Sequence, residues 1–320
     1  MLINKLSNFL INNKISKIIF NNFLNKSTFF IRLHYLLKHS YFINNWMDLI
    51  LLLLNLKKKV DIYFKNNFCF QNFKKKNWRY LIYYLTVFKN NIFIEKLGND
   101  YFAKIGNNRL KLLNIYNGIY QVGEVFVRKT YNKFDYKNKV VIDIGGFIGD
   151  SALFFILKGA RKVYVYEVNE EVYKVLLENI RINQLDNKIV AFNKGISNEY
   201  KREILYITEK KGSTSFYSSF NIKENIIDKK PIELIPFDEI LEEPVDILKM
   251  DCEGSEYDIL ESILNNNLSD KIKEGVILES HNLDKKRNYE YIIELLEKIG
   301  FKSVNFEKKT EILGLIYAKK

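Results

Sequence analysis

Cysteine is scarce in this 320-residue chain: only Cys69 and Cys252. Two thiols so far apart make neither a disulfide framework nor a zinc site, and a reducing compartment is the simpler setting. Cys252 lacks the surroundings of a nucleophile motif and is not expected to be catalytic. Of the histidines, His34 and His39 stand isolated and read as structural. A cleavable leader is not legible, because Asn and Lys interrupt the apolar positions of the first residues throughout. No apolar run is long enough to span a bilayer. The greasiest, Trp46 to Leu56, is about half the length required and contains Asp48, so a buried helix is expected there.

With 47% hydrophobic residues, a sizeable core is within reach, and the length allows one large domain or two smaller ones. The charge is unevenly spread. Residues 1–138 carry 23 Lys and Arg against 6 Asp and Glu, whereas residues 139–320 carry 27 against 32. A basic front segment of this kind suits an anionic partner, a membrane surface or a nucleic acid. A bias toward Asn, Lys, Ile, Phe and Tyr along the whole chain accounts for part of it.

The front segment reads as mainly helical. Leu2, Ile3, Leu6, Phe9 and Leu10 share one helical face, as do Ile15, Ile18, Ile19, Phe23 and Leu24. With lysines among them, such helices can lie on a membrane; packing against the domain gives the same pattern and is preferred. Lys57–Lys59 and Lys74–Lys76 bracket an aromatic-rich run, followed by Trp78, Tyr80, Tyr83 and Tyr84. Single-stranded nucleic acid would suit that mixture, and so would solvated faces over an aromatic core. From Ile92 the pattern shifts to short strands, Ile92–Ile94, Asp100–Ile105 and Arg109–Ile115, with turns at Gly98 and Gly106-Asn107. The expected organisation is a basic helical segment over 1–85, leading strands over 86–138, and the main domain over 139–320. Glu124 and Arg128 lie close enough to the first core strand to reach its pocket.

The centre of the sequence is Val140 to Asn183. Val140–Ile144 is a buried-strand run, Gly145, Gly146 and Gly149 make a glycine turn, Ser151–Leu157 is an apolar helix, and Val163–Tyr166 is a second strand ending in Glu167. This is a βαβ unit with a nucleotide site at its first turn. Glycines admit a ligand close to the backbone, and an acid at the tip of the second strand can take both hydroxyls of a ribose. The order Asp143-Ile144-Gly145-Gly146-Phe147-Ile148-Gly149 fits the G-x-G-x-x-G of a nicotinamide dinucleotide poorly. S-adenosylmethionine fits better: it has no phosphate, and an acid such as Asp143 can hold its cationic amino group.

Further on, a helix over Glu170–Asn183 and a strand over Ile189–Phe192 are expected. A turn with Asn193, Gly195 and Ser197 could meet an adenine edge. Ile204–Ile207 reads as a strand of an added hairpin, Gly212–Ser215 as a polar loop, and Ile232–Ile235 as another strand. Val245–Met250 then ends in Asp251-Cys252-Glu253, and Gly275–Leu278 ends in Glu279-Ser280-His281. Ligands in open α/β sheets bind outside the carboxyl ends of the strands, so Asp251, Glu253, Glu279 and His281 should converge there. Acids with one imidazole supply a base for methyl transfer to a hydroxyl, with His281 as the candidate. The same set could hold a divalent metal that orients the acceptor; metal-free base catalysis is preferred.

The segments VVIDIGGFIGDSALFF, YVYEVNEEVYKVLLENIRIN, PIELIPFDEIL, DILKMDCEGSEYDIL and VILESH, in this order, resemble the FkbM-family methyltransferases, class I S-adenosylmethionine-dependent enzymes. The similarity covers roughly residues 90–320, and LKMDCEGSE is its most specific piece. It implies an α/β, Rossmann-like fold: a seven-stranded, mostly parallel sheet with helices on both faces, one antiparallel strand near the end, and Phe301–Phe306 with Ile312–Ala318 as a closing hairpin. It implies methylation of hydroxyl oxygens on sugars and other natural products. By the resemblance, Asp143, Gly145 and Gly149 belong to the cofactor loop, with Gly146 and Phe147 between them. Glu167 is the ribose acid, Asp251 and Glu253 form the acidic motif, and Glu279 and His281 form the acid-x-His pair. Val168 stands where a proline often follows the ribose acid, and Cys252 replaces a small apolar residue.

Other chemistries lack their signatures. There is no N/D-P-P-Y/F after the fourth strand for attack by an amino group, and no Pro-Cys pair for carbon methylation of a pyrimidine. The expectation is an O-methyltransferase acting on a sugar hydroxyl in a glycan or glycolipid, cytoplasmic or peripheral at a membrane surface. Its rivals are an RNA ribose O-methyltransferase and a cofactor-binding module without catalysis.

Overall fold

The computed structural model describes residues 28–208, 214–215, 226–309 and 313–320. The amphipathic runs between Leu2 and Leu24 and the first half of the Gly212–Ser215 loop, Gly212 and Ser213, lie outside them. The chain divides into two compact units, Met1–Asn99 and Asp100–Lys320.

In the first unit, α1 (Thr28–His39) and α2 (Trp46–Leu53) precede a hairpin of β1 (Val60–Tyr63) and β2 (Cys69–Phe73), then α3 (Trp78–Lys89) and β3 (Ile92–Leu97). The apolar run at Trp46 forms the expected helix and buries Leu49, Leu52 and Leu53. It stops at Leu53, and Leu54 and Leu56 are exposed. Phe64, Phe68, Phe70, Phe73, Trp78 and Tyr84 are all buried. The rings of Phe64, Phe68, Phe70, Phe73 and Tyr84 pack as an aromatic core in which the Tyr84 hydroxyl donates to Asn66 Oδ1 at 3.1 Å. His39 is buried edge-on to Tyr35, in keeping with a structural role.

The second unit begins with an antiparallel hairpin, β4 (Asp100–Ile105) and β5 (Asn108–Leu112). The strand expected to reach Ile115 ends at Leu112, because Asn114 accepts the Asn117 N–H and caps α4 (Ile115–Val122). A single π turn, Gly123–Val127, follows. Then come β6 (Val140–Ile144), α5 (Asp150–Leu157), β7 (Lys162–Tyr166), α6 (Glu170–Ile182) and β8 (Ile189–Phe192). After β9 (Gly195–Ser197), β10 (Lys201–Thr208), β11 (Thr214–Ser215) and β12 (Ile226–Pro236), the short α7 (Phe237–Ile240) leads to β13 (Val245–Met250). The chain closes with α8 (Glu256–Asn265), β14 (Ile272–His281), α9 (Tyr289–Ile299), β15 (Ser303–Lys308) and β16 (Leu313–Lys319).

Seven strands form the main sheet in the order β15-β16-β14-β13-β6-β7-β8. The strands from β14 to β8 are parallel, and β16 runs antiparallel to both β14 and β15. From β6 the chain steps outward to β7 and β8; from β13 it steps the other way to β14. Right-handed crossovers in opposite directions put helices on opposite faces and leave a crevice at the carboxyl ends of β6 and β13. Ile142, Ile144, Leu248, Met250, Val276 and Leu278 pack into one core with Tyr257, Leu260, Ile263, Ile292 and Leu296 of α8 and α9.

Gly195–Ser197, expected as a turn, is a strand because it pairs in parallel with Leu234–Pro236. That pairing places β9 in a second sheet, β11-β10-β12-β9. β12 is longer than the expected Ile232–Ile235 and pairs along its length with β10. Pro231 is tolerated because β12 has a neighbour on one side only at that point.

Candidate active site

At the end of β6 the chain meets the end of β13. The Asp251 N–H donates to the Ile144 carbonyl at 3.0 Å, and a methyl group on Gly145 would lie 1.8 Å from the Asp251 carbonyl oxygen. Gly145 also has φ +73°, a conformation that costs a side chain dearly. Gly145→Ala should therefore cost at least about 3 kcal/mol of stability, readable from urea midpoints, because backbone cannot give way as a side chain could. An unchanged midpoint would mean that the two loops are not in contact. Gly145 and Gly146 N–H donate to the Tyr166 carbonyl, which folds the turn back over β7.

Glu167 sits at that fold. Its Oε2 accepts the Phe147 N–H at 3.0 Å and its Oε1 the Asn169 N–H at 2.8 Å. Burial pushes the carboxyl up to about 7, and the two amides oppose that shift. Asn193 Nδ2 donates to the Glu167 and Val168 carbonyls and ties the end of β8 to this loop. Asp143 is fully buried: Ser151 Oγ donates to its Oδ2 at 2.5 Å. Lys249, directly opposite on β13, places Nζ 2.8 Å from Oδ1 as an ion pair and donates to the Gly145 carbonyl at 2.7 Å. Burial works against the Lys249 ammonium, but Asp143 and Asp251 outweigh it and hold the group at about 12.

The acidic stretch after β13 is folded by Glu256, which is fully buried. Its Oε1 accepts the Cys252 N–H and its Oε2 the Gly254 N–H. Glu253 takes φ +55° and Gly254 φ +120° to make this turn. Glu256 Oε1 also lies 3.1 Å from His281 Nδ1, while His281 Nε2 lies 3.5 Å from Glu253 Oε2. The His281 side chain is 3% exposed and that of Glu253 is 23% exposed. Burial disfavours a charged imidazole, yet Glu256 and Glu253 overcome it and hold His281 well above its usual range, as an imidazolium. Burial pushes Glu253 up to about 8 against the pull of His281, with Asp251, Glu256 and Glu279 adding to the rise.

Glu279 accepts from Lys309 at 2.9 Å, and Lys309 also reaches Glu124 at 2.8 Å, so Glu124 enters the cluster through a lysine. The Tyr131 hydroxyl donates to Asp251 Oδ2 at 2.9 Å. Asp251, Glu253, Glu279 and His281 thus share one cluster, joined to Asp143 through Lys249. The cluster holds Glu124, Asp143, Asp150, Asp251, Glu253, Glu256 and Glu279 against three cations, Lys249, Lys309 and His281. Among the described residues no group of three or more His, Cys, Asp or Glu is arranged to hold a metal ion. Burial and Glu256 raise the Cys252 thiol well above its usual range, which leaves it inert as a nucleophile.

The sequence model of the methyltransferase FkbM domain matches residues 143–303, just over half of the chain, from Asp143 at the end of β6 through β14. The chain belongs to the FkbM methyltransferase family. A solved FkbM methyltransferase from Methylobacillus flagellatus KT aligns with 62% of this chain and 47% of its own, at 17% identity and a TM-score of 0.43. Uncharacterized protein 158B of Sulfolobus islandicus rod-shaped virus 1 is 35% identical over 71 residues, 22% of this chain and 45% of that protein. The ribosomal protein L11 methyltransferase of Carboxydothermus hydrogenoformans is 30% identical over 83 residues, 26% of this chain and 27% of that protein. The chain therefore spans less than half of the length of each of these relatives. In this FkbM chain, Lys249 and Glu256 stand inside LKMDCEGSE, so the motif itself contained the two residues whose partners only the fold reveals. No local signal marks Tyr131 or Lys309.

Proposed function

We propose that the chain is an S-adenosylmethionine-dependent O-methyltransferase, with the hydroxyl of a sugar in a glycan or glycolipid as acceptor. The observation that carries the cofactor is the Glu167 carboxylate. Each oxygen accepts one backbone N–H and keeps a lone pair, which suits the two neighbouring hydroxyls of a ribose. The surplus of acids around Asp251 also suits a ligand with cationic sulfonium and ammonium groups. Bound there, S-adenosylmethionine supplies a methyl group on a sulfonium, activated toward an oxygen nucleophile. The acceptor class rests on the FkbM resemblance. Of the rings that could stack on RNA bases in the first unit, Trp78 and Tyr84 are buried and Tyr41 and Tyr63 are exposed, so the preference for the sugar over an RNA ribose rests on the resemblance alone.

The roles divide by exposure. Glu167 binds the ribose, with Gly145, Gly146, Phe147 and Gly149 shaping the loop and Val168 and Asn193 flanking it. Asp143, its charge met by Lys249, positions the loop rather than meeting the ligand's amino group itself. Asp251 is aimed by Tyr131. His281 is the sequence's candidate base, but its ring nitrogens face two carboxylates. Glu253, in front of it and more exposed, is the better acceptor of the hydroxyl proton, and a carboxyl near 8 is matched to that task. Glu279, paired with Lys309, completes the acidic wall.

The test is calorimetric titration of the full chain with S-adenosylhomocysteine, with NAD in parallel. Binding of S-adenosylhomocysteine alone is expected; binding of NAD alone, or of neither, would defeat the reading. Glu167→Ala should weaken that binding at least about tenfold, through loss of hydrogen bonds to a charged acceptor. In the wild type, affinity should fall by up to about tenfold per unit as pH drops below 7, where the carboxylate gains a proton. Above 7 it should level off. Glu167→Gln should flatten the profile; an unchanged slope would remove Glu167 from ribose binding.

A further inference from the structure

The two lysine runs of the first unit, separate in sequence, form one surface. Val60 of β1 is opposite Phe73 of β2, so Lys59 and Lys74 leave the same end of the hairpin side by side. Lys75 reaches back to the carbonyl of Leu53 at 2.9 Å and to Asn55 Oδ1 at 3.0 Å. The segment Leu54–Lys57 therefore lies against Lys74–Lys76. Lys57 is held by Asp48 at 2.6 Å. The other nearby acid, Asp61, accepts the Asn72 N–H. Lys58, Lys59, Lys74 and Lys76 are exposed and make no ion pair among the described residues. Beside them Leu54 and Leu56 are 49% and 71% exposed.

Two exposed leucines among lysines, Leu54 and Leu56, fit the boundary between lipid headgroups and acyl chains. Lysines fit anionic headgroups as mobile point charges. We propose that this surface docks the chain on a membrane that carries anionic lipid, with Leu54 and Leu56 entering the boundary and the lysines facing headgroup phosphates. A nucleic acid would share the lysines, but it would want exposed rings to stack on, and leucines stand there instead. The proposal is independent of the methyl acceptor.

The experiment is co-sedimentation of the full chain with phosphatidylcholine vesicles, with and without phosphatidylglycerol. Binding is expected only with phosphatidylglycerol, weakening as salt rises. Each lysine near such a surface contributes about fivefold to partitioning. Lys58→Gln/Lys59→Gln/Lys74→Gln/Lys76→Gln should thus lower it at least about tenfold. Leu54→Ser/Leu56→Ser should lower it by about tenfold at unchanged charge. Both variants are surface changes and should keep the wild-type melting temperature. Binding without a preference for phosphatidylglycerol, or full binding by the lysine variant, overturns the proposal. Full binding by the leucine variant, with displacement by single-stranded RNA, overturns it in favour of a nucleic acid.

Discussion

Lys249→Met is expected to destabilise the chain by about 3–5 kcal/mol, the usual cost of removing one partner from a buried ion pair. Lys249 is 1% exposed and Asp143 fully buried, so water cannot replace the lost ammonium. Among the described residues only Ser151 Oγ would still meet the carboxylate, and the Gly145 carbonyl would lose its donor. For a unit of this size the melting temperature should fall by roughly 10 °C. The companion variant Asp143→Asn/Lys249→Met should recover part of the loss, because no uncompensated charge remains. If the single variant melts with the wild type, the pair is not holding the crevice together.

Glu253→Gln is expected to lower turnover by about 10²–10⁴ with little change in cofactor affinity, the range for a lost general base. The amide keeps the shape of the side chain but cannot take a proton. Wild-type turnover should rise with pH until about 8, as Glu253 ionises. His281→Ala tests the residue behind it. Loss of the imidazolium removes the charge that holds Glu253 down, so the rising limb should move to higher pH. A merely structural histidine would leave the limb in place. Full turnover in Glu253→Gln would return the proton to another group.

The sheet was legible because its strands are short apolar runs with acids or glycines at their ends. Val140–Ile144, Val163–Tyr166 and Val245–Met250 needed no tertiary information, and neither did the place of Glu167, the proposed ribose acid, at a strand tip. β12 was only partly legible: its first residues, Ile226 to Lys229, are exposed, so no buried face imposes a pattern. The partners in the site were not legible, because each is brought by a distant segment. Tyr131 is 120 positions from Asp251, and Lys309 is 185 from Glu124. His281 as a free base was a fair reading of residue type. What the sequence could not show is that Glu256, a helix-start acid by pattern, turns inward to its Nδ1.

The pairing of Ser197 with Pro236 has an architectural reading. β9 and the last residues of β12 pair with each other in the second sheet, so the intervening β10, β11 and most of β12 form a cassette with its two ends already clamped. Replacing its contents changes loop-closure entropy only slowly with length. An engineer could exchange that cassette while β6, β7 and β13 stay as they are, and so vary the second sheet without rebuilding the crevice.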